Sequence, residues 1–294
     1  MELRQLEYFV AVAEEANFTR AAARVHISQS GVSAQIRALE RELGAELIDR
    51  SGGTATLTTA GQAALPQARA TLAAAGSVKQ SVDDVTGLLS GTLSVGMVTA
   101  CTVPPLFDAL AGFHAAHPGV DIALREGNSD DLVADVRSGE IDLALVGLAS
   151  RTPAGLESMV VIDERIVAAV PAEHPLAGRR EATLSRVCEH PIIALPPGTG
   201  IRAVFDRDCA GVGLSPSITL QASAPDAVAD LAARGLGVGI LSRSMAEFYG
   251  DRLVAIELTD SHTAALLALV WRSAMSPALA ELVAVATTSF SESS

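Results

Sequence analysis

The sequence has few cysteines, few aromatic residues and no long apolar run. Its three cysteines, Cys101, Cys188 and Cys209, are odd in number and far apart, which argues against a disulfide framework and a paired-cysteine metal site. We expect them to be buried apolar side chains. No window approaches about 18 uninterrupted apolar residues, and no basic stretch precedes an apolar segment at the N-terminus. We therefore predict neither a membrane span nor a secretion signal, and expect a cytoplasmic location.

Basic residues are also scarce, and their distribution divides the chain. There are 21 Lys and Arg against 34 Asp and Glu, a formal net charge of -13 over 294 residues. Residues 1–90 carry a net charge of -2, whereas residues 91–294 carry -11. The second part should repel DNA, so a nucleic-acid surface is expected only in the first part.

A segment without acidic residues lies between residues 17 and 39. Residues 18–27 predict a short Ala-rich helix capped by Thr19, and residues 28–39 predict a second helix capped by Ser28. Two helices joined this closely are typical of a helix-turn-helix. Because duplex DNA is a dense line of negative charge, a protein that binds it presents cations instead of acids on the contact face. The cations of this segment are Arg20, Arg24 and Arg37.

Elements on both sides of this segment complete a winged helix-turn-helix. Apolar residues at helical spacing predict a first helix over residues 3–13, and Gly44 is expected to end the helix that precedes a hairpin. The hairpin, residues 48–58, should turn at Gly52 and Gly53 and form the wing.

A long linker helix is predicted to begin at Thr59, where Thr59-Ala60-Gly61-Gln62 matches a capping box. Pro66 should kink or loosen this helix. Its apolar stripe is narrow and rich in alanine, which favours pairing with the same helix of a second subunit; packing on its own domain is the alternative. The stripe consists of Leu65, Ala68, Leu72, Ala75, Val78, Val82 and Val85.

From Gly91 onward the pattern predicts alternating strands and helices, typical of an α/β fold. Strands are predicted over residues 92–98, 120–126, 141–147, 160–170, 191–195, 217–222, 238–242 and 264–272. Helices are predicted over residues 104–116, 130–138, 201–210, 225–234 and 276–290. These elements are predicted to form two lobes. Lobe I contains residues 91–161 and 264–294, and lobe II contains residues 162–263. A ligand crevice is expected at the carboxyl ends of their strands.

In the order and spacing of several short motifs, the chain resembles the LysR-type transcriptional regulators over essentially its full length. The matching segments are Met1-Glu2-Leu3-Arg4-Gln5-Leu6-Glu7-Tyr8-Phe9, Phe18-Thr19-Arg20-Ala21-Ala22, Ser28-Gln29, Leu39-Glu40-Arg41-Glu42-Leu43-Gly44, Leu47-Ile48-Asp49-Arg50 and Leu57-Thr58-Thr59-Ala60-Gly61. The resemblance implies an N-terminal winged helix-turn-helix (residues 1–58), a dimerising linker helix (59–89) and a two-lobed, periplasmic-binding-protein-like α/β effector domain (91–294). It also implies homodimers or homotetramers that bind double-stranded DNA and respond to a small-molecule effector.

Candidate DNA contacts lie on the predicted helices and the wing. Gln29 can form a bidentate pair with adenine and is the best candidate for reading a base. Ser30, Ser33 and Gln35 can bond base edges or phosphates. The remaining candidates, most of them cations that fit phosphate contact, are Thr19, Arg20, Arg24, Arg37 and Arg50.

The match to the family is imperfect where bases are read. Family members commonly carry Pro, Ser-Arg and a wing Arg where this chain has Ser30, Ser33-Ala34 and Gly53. Two typical cationic contacts are therefore missing, and we expect a DNA affinity or a salt dependence lower than usual. Any single candidate has the alternative role of holding helix geometry or a phosphate rather than reading a base.

A glycine-rich turn after the predicted strand 191–195 has two interpretations. Gly198-Thr199-Gly200-Ile201-Arg202-Ala203 fits G-x-G-x-x-A, the dinucleotide fingerprint, but the acid expected about 20 residues later is absent from the following strand. The same helix start can instead hold a carboxylate or phosphate through its free N–H groups, beside Arg202. We therefore predict an effector site here rather than a nicotinamide site.

Polar loops that face this helix start complete the predicted effector site. Thr102 and Ser129 have the alternative role of capping the helices that follow them. Arg202 has an alternative partner in Asp206, four residues along the same helix. The effector is then an anion held by Arg202, or a neutral molecule held by the Thr and Asn groups. The full set of candidates is Thr99, Cys101, Thr102, Asn128, Ser129, Thr199 and Arg202.

Catalytic and metal-binding motifs are not found. There is no H-E-x-x-H, G-x-S-x-G or P-loop pattern. His114 and His117, three residues apart at a predicted helix end, fit a helix-terminus role better than metal binding. We predict no enzyme activity, no cofactor and no metal. The alternative is a solute-binding module or an enzyme on the two-lobed fold, whose N-terminal helices would serve only for dimerisation.

Overall fold

The structure, a computed structural model, describes residues 1–50, 54–85, 91–100 and 103–292. The chain forms two compact units, one with the N-terminal helices and the hairpin and the other with two larger β-sheets. Among the described helices, none has both the length and the apolar character needed to cross a bilayer.

The first unit is built from helices and a short antiparallel hairpin. Its elements are α1 Leu3–Glu15, α2 Phe18–Arg24, α3 Gln29–Leu43, β1 Ile48–Asp49, β2 Thr56–Leu57 and α4 Thr59–Val85. β1 pairs with β2 in antiparallel register, so the predicted hairpin is confirmed. Its turn at Gly52 and Gly53 lies outside the described residues. The α1–α3 core is centred on the fully buried side chains of Phe9, Ile36 and Leu39.

The caps of the short helices follow from local hydrogen bonds. Asn17 caps α2, because its Oδ1 accepts from the backbone N–H of Thr19 at 2.8 Å. The predicted cap at Thr19 was therefore wrong: Asn17 directly precedes the first helical residue, where a side-chain oxygen reaches the orphan N–H groups. The predicted cap at Ser28 is confirmed by a 3.1 Å bond from the Gly31 N–H to Ser28 Oγ. Gly44 ends α3 with a φ of 71°.

The linker helix α4 begins against the wing. Thr58 Oγ1 accepts from the Gly61 N–H at 3.0 Å, so Thr58, not Thr59, supplies the cap. A Cβ on Gly61 would lie 2.1 Å from the carbonyl oxygen of Leu47, so only glycine fits this close approach.

The apolar stripe of α4 is divided between two environments. Leu65, Ala68 and Leu72 pack against the core of the first unit, which is the alternative that the sequence left open for this helix. Farther along, Val78 is 65% exposed. The first half of the stripe therefore stabilises its own domain, whereas Val78 is an exposed apolar side chain.

The second unit alternates strands and helices, which confirms the predicted α/β class. Its elements are β3 Gly91–Val98, α5 Pro104–Ala116, β4 Val120–Gly127, α6 Ser129–Ser138, β5 Leu143–Ala149, β6 Glu157–Glu164, β7 Ile166–Val170, β8 Glu181–Ala182, α7 Leu184–Val187, β9 Ile192–Ala194, α8 Gly200–Gly211, β10 Ile218–Gln221, α9 Pro225–Ala233, β11 Val238–Ser242, α10 Arg243–Phe248, β12 Val254–Leu258, β13 Ala265–Trp271 and α11 Pro277–Glu292.

These strands form two sheets, one for each lobe. The sheet of lobe I has the order β4-β3-β5-β13-β6, and its largest core cluster contains Phe113 and Leu269. The sheet of lobe II has the order β10-β9-β11-β7-β12-β8, and its core contains Phe205 and Ile240. In each sheet one strand, β13 in lobe I and β7 in lobe II, is antiparallel to both of its neighbours, and the other pairs are parallel.

The strand predicted over residues 160–170 was wrong, because this segment contains two strands in different sheets. β6 ends at Glu164 in lobe I and β7 begins at Ile166 in lobe II, so the chain crosses between the lobes at Arg165. It returns between Leu258 and Ala265. The Arg165 guanidinium donates from Nη1 to the carbonyl oxygen of Ser261 at 2.6 Å, which joins the two crossover segments.

Candidate functional site

The exposed face of α3 carries the first group of candidate residues. Val32, Ile36 and Leu39 are fully buried on the opposite face. Gln29 is the first residue of the helix and is exposed, and in the described part of the chain no protein group bonds its amide. Ser30 is also exposed, with its Oγ 3.1 Å from Ser28 Oγ. The N-terminal turn of α3 therefore presents uncharged polar groups to solvent, as a base-reading helix requires.

Ser33 does not present its hydroxyl to DNA as predicted. Its side chain is buried, and Ser33 Oγ accepts from Arg37 Nη2 at 2.8 Å while the Ser33 carbonyl oxygen accepts from Arg37 Nε at 3.3 Å. Ser33 therefore orients the guanidinium of Arg37 on the exposed face. Gln35 is exposed and accepts a long hydrogen bond from Gln5 Nε2 at 3.4 Å.

The wing arginine has an internal partner. Arg50 Nη2 donates to Glu40 Oε2 at 2.8 Å, and its guanidinium lies 5.2 Å from the ring centre of Phe18. The other carboxylate oxygen of Glu40 accepts from the N–H groups of Leu47 and Ile48 at 3.0 and 3.2 Å. Arg50 therefore joins α3 to the wing, and a phosphate contact by this residue stays a prediction. A buried carboxylate ten residues upstream was the signal that sequence reasoning missed.

The arginines of α2 also have partners that the acid-free segment did not predict. Arg20 Nε donates to Glu15 Oε2 at 3.2 Å, and Arg24 Nη1 lies 2.5 Å from Glu14 Oε2. Thr19 is exposed on the first turn of α2. The two carboxylates come from the end of α1, directly before the segment that lacks acids.

In the second unit the lobes meet at the start of α8. A Cβ on Gly200 would lie 2.3 Å from the carbonyl carbon of Gly147, at the end of β5. The backbone N–H of Asp130 donates to the carbonyl oxygen of Gly198 at 3.2 Å. The first turn of α8 is therefore covered by lobe I, and its N–H groups are less accessible than an open anion site would require.

The two polar side chains predicted at the start of α8, Thr199 and Arg202, bond their own lobe. Arg202 Nε lies 2.9 Å from each carboxylate oxygen of Asp206, and Arg202 Nη1 donates to the carbonyl oxygen of Leu195 at 3.2 Å. Thr199 Oγ1 donates to the carbonyl oxygen of Pro196 at 2.8 Å. The alternative partner that the sequence left open for Arg202 is therefore the observed one, because Asp206 pairs with its guanidinium.

The facing loops of lobe I are also internally bonded. Asn128 caps α6 through Oδ1, which accepts from the Asp131 N–H at 2.9 Å. Ser129 is buried, and its Oγ accepts from the Gly147 N–H at 3.0 Å, so it has a structural role rather than the predicted ligand contact. Thr99 Oγ1 is 3.4 Å from the carbonyl oxygen of Gly127. The candidates Cys101 and Thr102 lie outside the described residues.

A buried carboxylate at the lobe crossover was not predicted. Asp208, on α8, is 8% exposed and accepts from Ser261 Oγ and Thr263 Oγ1 at 2.5 Å each, and from the Thr263 N–H at 3.3 Å. It therefore fixes the returning crossover segment to α8. The sequence signal is weak, because Asp208 looks like any other acid on a polar helix face.

Both free thiols of lobe II have a raised pKa. Cys209 is fully buried, and burial, followed by the neighbouring Cys188, raises its pKa to about 12. Burial also raises the pKa of Cys188. Thiols that stay protonated are poor nucleophiles and poor metal ligands. In the described parts of the chain, no cluster of three or more His, Cys, Asp or Glu side chains could hold a metal ion.

An exposed recognition helix in one unit and a two-lobed α/β module in the other define a DNA-binding protein with a ligand-binding domain. Residues 3–62 match the model of the bacterial regulatory helix-turn-helix proteins of the lysR family, and residues 86–291 match the LysR substrate binding domain. The HTH-type transcriptional regulator YnfL of Escherichia coli (strain K12) is 32% identical over 278 residues, which cover 92% of each chain.

Solved structures agree with this assignment over the whole chain. A full-length OxyR variant from Pseudomonas aeruginosa has the same fold, with a TM-score of 0.68 and 24% identity over 99% of this chain and 94% of that one. CbnR in complex with its target DNA has a TM-score of 0.60 and 26% identity over 98% of this chain and 100% of that one. The chain belongs to the LysR family of transcriptional regulators, with a DNA-binding helix-turn-helix domain and an effector-binding domain.

Proposed function

We propose that the chain reads its operator with the N-terminal turn of α3. The observation that carries this proposal is the exposed amide of Gln29, which has no intramolecular partner in the described structure and can pair with adenine. Ser30 is beside it, and Arg37 is held on the exposed face of the same helix by Ser33. Gln29 then reads a base, and Arg37 contacts phosphate.

Substitution of these two residues tests the proposal. Gln29→Ala should weaken binding to the specific operator by about 1–3 kcal/mol and leave binding to random DNA almost unchanged. Arg37→Ala, the matched control, should weaken both and reduce the slope of log K against log salt by about one unit. Fluorescence anisotropy with an operator selected from a random pool measures both effects. Equal losses on both duplexes for Gln29→Ala would exclude it as a base reader.

The effector site is proposed to lie between the two lobes, beside the start of α8. Thr199 and Thr99 donate their hydroxyl hydrogens to carbonyl groups, so their oxygen lone pairs stay available to a ligand. Because Asp206 neutralises Arg202, a polar uncharged molecule fits these groups better than an anion.

A thermal-shift screen of metabolites tests the effector site. A compound that stabilises the protein should lose most of its effect on Thr199→Val, whereas Thr71→Val, on α4, should leave the effect unchanged. A stabilisation of about 2.7 kcal/mol is expected at a hundredfold excess over the dissociation constant. Stabilisation that survives Thr199→Val would place the ligand elsewhere.

The assembly is proposed to be a homodimer or homotetramer that pairs through the exposed part of α4. Val78 supports this proposal, because a β-branched apolar side chain that is 65% exposed lies beyond the part of α4 that packs on its own core. Val78→Asp should reduce the mass measured by light scattering without loss of circular dichroism, whereas Gly76→Ala should not. An unchanged mass for Val78→Asp would exclude this part of α4 as the contact between subunits.

The protein is further proposed to act in the cytoplasm, where its DNA is, and without a catalytic step. Its relatives are named as transcriptional regulators, and their role requires binding equilibria alone. Specific retention of operator DNA in the presence of a polyanion competitor would support this role. Uniform loss of DNA to the competitor would favour the alternative of a solute-binding module.

A further inference from the structure

The first helix ends on two carboxylates in an unfavourable position. Glu14 and Glu15 are the last residues of α1, whose last turn contains no basic residue. The C-terminus of a helix carries a partial negative charge, which disfavours nearby anions. The cations that stabilise these two carboxylates must therefore come from other helices.

The arginines of α2 and α4 supply those cations. Glu14 Oε2 lies 2.5 Å from Arg24 Nη1, and Glu14 Oε1 lies 2.9 Å from Arg69 Nη2. Glu15 pairs with Arg20 at 3.2 Å and lies 3.8 Å from Arg24, and its backbone carbonyl oxygen accepts from Arg20 as well. Both cations of the first helix of the helix-turn-helix are thus neutralised by the helix that precedes it.

These pairs contribute little to the stability of the fold. The side chains of Arg20 and Arg24 are 65% and 49% exposed, and ion pairs this exposed are only weakly stabilising. Their electrostatic effect on a polyanion is larger, since sequence-independent binding to DNA depends on the number of phosphates that free cations neutralise. Arg37 differs, because it bonds the neutral oxygens of Ser33 and keeps its charge available.

We propose that Glu14 and Glu15 are specificity-determining residues, which hold Arg24 and Arg20 away from phosphates and so weaken sequence-independent DNA binding more than operator binding. Binding to random DNA relies on contacts between cations and phosphates, and the carboxylates of Glu14 and Glu15 already occupy two of these cations, Arg24 and Arg20. On the operator, base contacts by α3 fix the domain close to the backbone, where phosphates compete with the carboxylates for the arginines. Glu14 keeps Arg69 as a partner when Arg24 leaves, and Glu15, whose side chain is 30% exposed, can be solvated by water when Arg20 leaves.

Charge-neutral substitutions in the full-length protein test the proposal. Glu14→Gln and Glu15→Gln should each bind a random-sequence duplex about two- to fivefold more tightly at low salt. Each should also steepen the slope of log K against log salt by about 0.9, because one more phosphate is neutralised. Affinity for an operator selected by the wild-type protein should rise less, so the ratio of specific to random affinity should fall. Fluorescence anisotropy between about 50 and 200 mM salt measures all three quantities.

Two controls distinguish the effect of these ion pairs on DNA binding from the effect of a change in net charge. Glu7→Gln removes the same charge from an exposed position of α1 and should change the slope little. Arg24→Ala added to Glu14→Gln should abolish the gain of the single variant. If Glu14→Gln does not fold, as judged by circular dichroism, Glu15→Gln gives the same test through Arg20. Equal gains for Glu7→Gln and Glu15→Gln, an unchanged slope, or an unchanged affinity ratio would each overturn the proposal.

Discussion

The recognition face of α3 and the crevice between the lobes use their polar side chains differently. On α3, the Gln29 amide has no partner in the described structure, and Arg37 bonds only oxygens of its own helix. In the crevice, Asn128 and Thr199 are already bonded to their own chain. A helix satisfies its backbone internally and leaves its side chains free, whereas loops at strand ends need side chains to satisfy backbone groups.

The exposed face of α3 is therefore a preformed binding surface, whereas the polar side chains of the crevice already bond groups of their own chain. DNA can contact Gln29 without breaking a hydrogen bond of the described structure, whereas a phosphate contact by Arg20 or Arg24 of α2 must replace an ion pair. At the proposed effector site the hydroxyl hydrogens of Thr99 and Thr199 and the Oδ1 of Asn128 are already engaged, so a ligand finds mainly hydroxyl lone pairs without exchange of internal bonds.

The largest expected effect comes from the carboxylate that joins α8 to the lobe crossover. Asp208→Ala removes the acceptor of two hydroxyls and one backbone N–H, and should lower the free energy of unfolding of the second unit by about 4 kcal/mol. Urea unfolding followed by the fluorescence of Trp271, the single tryptophan, measures it. Asp251→Ala, at a side chain that is 78% exposed, should change it by no more than about 0.5 kcal/mol. Similar values for the two variants would contradict the role of Asp208.

The next substitution tests whether the first unit can be destabilised without a change in the unfolding of the second unit. Gly61→Ala places a Cβ 2.1 Å from the Leu47 carbonyl oxygen, and should destabilise the first unit by about 3 kcal/mol. DNA binding and far-ultraviolet circular dichroism should report the lower stability of the first unit. The unfolding transition of the second unit, followed by Trp271 fluorescence in urea, should not shift. Gly76→Ala, in an open part of the same helix, should stabilise it by up to about 1 kcal/mol. A shifted Trp271 transition in Gly61→Ala would show that the units unfold together.

A smaller effect is expected at the contact between the lobes. Gly200→Ala places a Cβ 2.3 Å from the Gly147 carbonyl carbon, so the lobes must separate slightly, at a cost of about 2 kcal/mol. The cost is lower than at Gly61 because two lobes can adjust more easily than a helix fixed to its wing. Gly211→Ala, which has no neighbour within 4 Å, is the matched control. Trp271 fluorescence again measures the transition, and equal stabilities of the two variants would show that the lobe contact is loose.

Much of the fold could be predicted from the sequence because it depends on local patterns. Alternating apolar runs predicted most strands and helices of the second unit, and Ser28 and Gly44 predicted the ends of α3. The crossover at Arg165 was missed because only three charged residues, 163–165, interrupt the apolar pattern, and the assignment of β6 and β7 to different sheets is not a local signal. The short elements β8, α7, α10 and β12 were also missed, since segments of two to six residues carry little periodicity.

The candidate sites were less predictable because their chemistry depends on distant partners. The position of Gln29 follows from the helix start alone, and that residue is exposed as its pattern indicates. Arg50, by contrast, is bound by Glu40, and Arg20 by Glu15. A segment without acids predicts a positive surface only if no neighbouring helix brings acids to it. Asp208 was missed for the same reason, since its partners lie more than 50 residues away.

The smallest predicted effect is a pH dependence in lobe II. Burial, followed by the charge of the neighbouring His190, holds the pKa of His174 below its ordinary value of 6.5. The two rings pack edge to face with centres 4.7 Å apart, and His174 Nδ1 accepts from the Leu176 N–H at 3.2 Å. Protonation of Nδ1 would break that bond, so the native state disfavours the charged imidazole.

The sign of the effect follows from this lowered pKa. The contribution of the neutral His174 to the free energy of unfolding is fully present above pH 6.5, where the imidazole is neutral in both the folded and the unfolded chain. This contribution is lost as the pH falls, because His174 of the unfolded chain binds a proton at a higher pH than His174 of the folded chain. The free energy of unfolding of the second unit should therefore decline below pH 6.5 and level off once the native His174 is protonated. His174→Gln should remove this decline, and His190→Gln should reduce it by raising the pKa of His174 towards its ordinary value. Trp271 fluorescence in urea at each pH, with an NMR titration of the His174 ring, measures both quantities; a stability that rises as the pH falls through this window would contradict the prediction.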